Sequence, residues 1–214
     1  MEGSKGIDLF DWVFLLLPIF LTVGLGWFVN SKLEKQKSTI QKRINNFSLY
    51  NEKKHMCLSE LYKLIKEAEG YIFYLRGLRQ GYSFDDFNSI DIVNYLDKIN
   101  APRKVINEVK YLWDEEKVEE AKRKISTYES LRDNQCAENA LTNAKNYFLM
   151  HELYITDDLV KTIEECFTKL EKLKRNYDFP DEQTLLENDG LKDEIKNEIE
   201  LLRDRMKKEL SMYQ

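Results

Sequence analysis

Eighteen consecutive residues, Trp12 to Val29, carry no charge in a chain of which a third is Asp, Glu, Lys and Arg, and Thr22 is the only hydroxyl among them. Beyond that run the apolar positions change rhythm. Ile40, Ile44, Phe47, then Leu58, Leu61, Ile65, Ala68, Ile72 and Leu75 recur at the three-and-four spacing of one helical stripe. Asn51 and Lys54 stand where that stripe asks for apolar side chains. The pattern predicts a long helix leaving the uncharged run and reaching about Arg79, with a break near Asn51.

Gly77 and Gly81 punctuate the segment that follows, and Ser83 ahead of Asp85 and Asp86 reads as a helix N-cap. Ser89 is expected to cap a short second helix. Pro102 opens a third, with Val105, Ile106, Val109, Leu112 and Trp113 on its apolar face and a continuation through Ile125 to Leu131. A fourth presents Ala137, Ala140, Leu141, Ala144 and Phe148 inward. Thr156 before Asp157 and Asp158 starts a fifth, carrying Leu159, Ile163, Phe167, Leu170 and Leu173 and stopping at Pro180. In the last segment Leu191, Ile195, Ile199, Leu202, Met206, Leu210 and Tyr213 follow an eleven-residue repeat, which keeps one face aligned on a nearly straight helix. That face packs on the body or pairs with a partner.

Eight Gly and three Pro in 214 residues, against abundant Leu, Ile, Glu, Lys and Asn, fit this all-α reading. The expected organisation is a short extracytoplasmic tail (1–11), a transmembrane helix (12–30), a basic juxtamembrane region with a long helix (31–80), and a cytoplasmic helical bundle (81–214) ending in an amphipathic helix. Eighteen helical residues reach roughly 27 Å, and a further turn from Leu9 brings the segment to the bilayer's hydrocarbon thickness. The run is apolar on every side, unlike a buried soluble helix, and Trp12, Trp27 and Phe28 sit near its ends, where aromatic rings favour the headgroup level. A cleaved signal fits less well, because the leader is acidic and the exit is not a small-residue site.

Charge orients the span. Seven basic residues between Lys32 and Lys54 face only Glu34 and Glu52, while Glu2, Asp8 and Asp11 precede the run, so the N-terminus is expected outside and the body in the cytoplasm. Lys32, Lys35, Lys37, Lys42 and Arg43 are candidates for contact with anionic lipid. Pro18, Gly24 and Gly26 are candidates for a helix contact inside the bilayer, although no GxxxG pair is formed. The remaining body is acidic, which argues against nucleic acid as a partner.

Candidate chemistry is sparse. Cys57, Cys136 and Cys166 lack CxxC spacing and read as reduced core thiols. His151 in HELYI lacks the second histidine of a zincin helix, and His55 is badly placed for pairing with Cys57. No phosphate loop, dinucleotide fingerprint or nucleophile elbow occurs. Arg76 and Arg79, around GLRQG, form a speculative anion site. Glu115 with Glu116, Glu119 with Glu120, and Glu164 with Glu165 alternate with lysines and read as solvated faces. The aromatic group Tyr71, Phe73, Tyr74, Tyr82, Phe84, Phe87 and Tyr95 reads mainly as core, its exposed remainder as a surface for a partner.

The expectation is a non-enzymatic, single-pass membrane protein without cofactor or metal, whose partners are the bilayer and either another protein or its own copies, a small-molecule ligand being unlikely. The alternative is a membrane-acting effector of the toxin or phage-defence type, in which the body senses a signal and clusters the spans.

Overall fold

The computed structural model describes residues 9–76 and 82–211, with side chains from Trp27 onward except Phe28 and Leu185. The described chain is all-helical: α1 (Leu9–Tyr74), α2 (Ser89–Lys98), α3 (Arg103–Asp114), α4 (Val118–His151), a 3-10 turn (Glu152–Tyr154), α5 (Asp157–Asp178) and α6 (Glu182–Ser211). It falls into two units, Met1–Lys53 and Lys54–Gln214, so the second unit begins inside α1. Among the described residues no helix is long and apolar enough to cross a membrane. The side chains of 12–26 and of Phe28, on which the transmembrane expectation rests, lie outside that description, as do those of Pro18, Gly24 and Gly26.

Where side chains of the first unit are described, from Trp27 on, nearly all are exposed, the stripe residues Ile40, Ile44 and Phe47 included. No break occurs near Asn51; α1 continues through it. Asparagine weakens a helix by a fraction of a kcal/mol, about 0.7 at most, too little to interrupt one held on its C-terminal side by packing.

The second unit holds two cores. Leu58, Leu61, Ile65, Ala68 and Ile72 of α1 join the C-terminal half of α4, the apolar face of α5, and Leu191, Ile195, Ile199, Leu202 and Met206 of α6. The eleven-residue repeat of α6 is therefore spent on the body as far as Met206; Tyr213 lies outside the described residues. The smaller core gathers Phe84, Ile92, Leu96, Ala101, Ile106, Val109, Ala121 and Ile125 from α2, α3 and the start of α4. One helix, α4, thus serves both.

Three boundaries differ from those expected. Asn88, not Ser89, caps α2: its side chain accepts from the amides of Ile90 and Asp91 while Asp91 accepts from the Asn88 amide, a reciprocal capping box. Ser83 caps no helix; Asp85 and Asp86 form a turn closed by the Phe87 amide on the Phe84 carbonyl at 3.2 Å. The third helix ends at Asp114 rather than continuing, and 118–151 is a single helix. Leu131, expected on the stripe, is exposed.

The α2 and α3 ends share one device. Asn100 and Glu116 take left-handed φ values of 55° and 59°. The amides of Ala101 and Lys117 then reach back to the carbonyls of Leu96 and Leu112, each at 2.9 Å, as in a Schellman cap. Asn tolerates that conformation; Glu adopts it against its preference, so no sequence signal marks the second stop.

Candidate functional site

On the second unit a polar recess of about 460 Å³ is lined by Leu75, Arg76, Ser130, Asn134, Tyr177 and Asp178. Arg76 is drawn into it because α1 ends beside the C-terminus of α5, where the Arg76 Nη2 donates to the Tyr177 carbonyl at 3.1 Å. A cation at a helix C-terminus satisfies an orphan carbonyl and meets the negative end of the dipole. The Asp178 carboxylate opens onto the same recess and is paired with Lys174 at 2.8 Å. Arg76 is thus engaged with backbone beside an acid; Arg79 lies outside the described residues.

The titratable groups are built in. Burial pushes the Cys57 thiol up, and pushes Cys166 up to about 12. A thiol held protonated is a poor nucleophile at neutral pH. The Cys166 contribution to stability is complete below the unfolded thiol's 9.0 and is lost as pH rises from there toward 12, because the unfolded chain ionises first. Cys57 and Cys166 are buried and Cys136 is half-buried. At pH 8 a disulfide-exchange reagent is expected to label Cys136 in the native protein and all three thiols only after denaturation; prompt native labelling of Cys166 contradicts this burial.

His151 stacks on Tyr147, with ring centroids 4.1 Å apart, and its Nδ1 lies 2.9 Å from the Tyr147 carbonyl. Its ring is fixed by its own helix. Among the described residues no three or more His, Cys, Asp or Glu side chains gather as metal ligands. Glu115, Glu116, Glu119, Glu120, Glu164 and Glu165 are all exposed. Of the aromatic group, Phe84 packs edge-on against Phe87 and Tyr95 at centroid distances of 5.2 and 5.1 Å, while Tyr71 and Tyr74 remain partly open. These two line a shallow cleft with Gly70 and Cys136.

The polar feature that sequence reasoning missed is at Lys54. Its ammonium lies 2.6 Å from Glu209 on α6, with side chains only 3% and 6% exposed. The Thr156 hydroxyl donates to the other Glu209 oxygen at 3.0 Å instead of capping α5. Lys54 breaking an apolar stripe was the available signal; its partner, 155 positions away by number, left none.

The exposed surface of the first unit is the other candidate. Lys32, Lys35, Lys37, Lys42 and Arg43 are all exposed on α1. On the same helix, Leu33, Ile40 and Ile44 present apolar side chains to solvent. No known protein family matches this chain, and neither a curated protein nor a solved structure is similar enough to match.

Proposed function

We propose that the protein is a single-pass membrane protein whose cytoplasmic helical body serves protein–protein interaction or assembly at the bilayer, a binding role rather than a catalytic one. The observation that carries this reading is the uncharged run Trp12–Val29, whose backbone is helical and continues without interruption through the rest of α1. A segment of that length and apolarity has few stable placements outside a bilayer. Protonated buried thiols, a histidine fixed by its own helix and exposed carboxylate pairs support binding over chemistry.

Continuity of the helix refines the role of the basic residues. Seven residues past Asn30 correspond to roughly 10 Å of rise, about one Debye length, so Lys32, Lys35 and Lys37 lie within reach of anionic headgroups. Lys42 and Arg43 stand roughly 18–20 Å out, where that attraction is mostly screened. The near three contribute about 1 kcal/mol each.

The test is topology in cells. The full-length chain should stay in the membrane pellet after an alkaline wash, with its body protected from protease added outside. Lys32→Gln, Lys35→Gln and Lys37→Gln together should render a measurable fraction of bodies accessible from outside by inverting the span. Release of the wild-type chain by the wash, or wild-type bodies cleaved from outside, overturns the reading. The pore-forming alternative wants a polar line along the span, and Thr22 alone does not make one.

A further inference from the structure

The stripe of α1 keeps a strict heptad. Lettered conventionally, Lys37, Ile44, Asn51, Leu58, Ile65 and Ile72 are a positions and Leu33, Ile40, Phe47, Lys54, Leu61, Ala68 and Leu75 are d positions. From Leu58 onward this seam is buried in the bundle. Before Asn51 it is open: Leu33, Ile40 and Ile44 are 48%, 56% and 55% exposed. We infer that residues 33–51 form a parallel two-stranded coiled coil with a second copy of this chain, which makes the protein a dimer joined just above the membrane. The inference deepens the membrane-anchored reading and rests on it for the parallel orientation.

Two observations select this occupant. In a parallel pair each g position faces the partner's e position five residues on, which sets Gln36 against Gln41, Arg43 against Ser48 and Tyr50 against His55. No like charges meet across these g and e positions, because Lys35 and Lys42 fall at f on the far side; Lys37, at a, faces its own copy, a polar a position that costs stability. Asn51 occupies an a position, where a single asparagine fixes register and favours two strands.

A lipid surface fits the stripe less well. Two apolar positions in seven make a narrow seam, whereas an interfacial helix needs a wide apolar face. Nineteen residues span only roughly 28 Å, short for an independent coiled coil. The helix is preformed as part of α1, however, and anchoring both copies in one bilayer raises their effective concentration and aligns them.

The test is disulfide crosslinking of the full-length chain in its membrane, with the wild type as background for the native thiols. Ile40→Cys and Ile44→Cys should each give a product of twice the chain mass at ten-fold or more the yield of Lys42→Cys at f. Adding Ile44→Lys to Ile40→Cys should cut that product ten-fold; Ile44 is exposed, so the bundle itself stays folded. Equal yields at 40, 42 and 44, no dimer product, or products of another mass overturn the pairing. The alkaline wash on the same membranes reads the anchor separately: release of the chain defeats the anchored reading, while the positional pattern of crosslinks decides the coiled coil.

Discussion

Glu209→Ala should lower the unfolding free energy of the helical bundle by about 3–5 kcal/mol, the usual cost of stripping a buried ion of its counter-charge. The reason lies in where α1 places Lys54. The seam that buries Leu58 and Leu61 carries Lys54 inward at the preceding d position, and Glu209 on α6 offsets that charge at 2.6 Å. Removing the carboxylate takes this partner from a buried ammonium and takes the acceptor from the Thr156 hydroxyl as well. Lys54→Ala should cost a similar amount from the other side. Lys54→Met combined with Glu209→Leu should restore stability to within about 1 kcal/mol of wild type or exceed it, because apolar replacement of both partners removes the desolvation penalty along with the attraction. Urea unfolding of the full-length protein in mild detergent, followed by far-ultraviolet circular dichroism, measures all of these. A loss below about 1 kcal/mol in both single variants contradicts the burial of the pair.

The helical periodicities were legible because each is written locally. Leu159, Ile163, Phe167, Leu170 and Leu173 on α5, and Ala137, Ala140, Leu141, Ala144 and Phe148 on α4, are buried as their spacing predicted. Boundaries made by special backbone conformation were less so. The stop at Glu116 has no glycine to announce it, and the Asn88–Asp91 capping box was hidden behind a more conventional serine. Long-range pairing was not legible at all: Lys54 looked like a flaw in a stripe until Glu209 was seen beside it. Of the candidate site residues, the structure brings Arg76 to a carbonyl and an acid, and leaves the five basic residues exposed along α1. The stripe itself could be read from sequence, but periodicity alone does not say which half of it the chain covers with its own helices.

That division yields the second large effect, since two chemically identical substitutions on one seam should differ by several kcal/mol. Ile65 and Ile44 are both isoleucines at a positions, three heptads apart. Ile65 is fully buried among α1, α4, α5 and α6. Its truncation removes apolar contacts and leaves a cavity, so Ile65→Ala should destabilise the bundle by about 2–5 kcal/mol. Ile44 lies before the bundle and is exposed, so Ile44→Ala should shift bundle unfolding by no more than about 0.5 kcal/mol. The two variants should separate in the opposite sense in the membrane: Ile44→Ala weakens the proposed seam between copies, whereas Ile65→Ala leaves that seam's own side chains intact. Denaturation midpoints of full-length protein and the crosslinking yield at Ile40→Cys, measured for both variants, give the comparison. Equal losses of bundle stability from both substitutions imply that the first unit's stripe is covered by the chain's own helices, and the coiled-coil assignment falls with it.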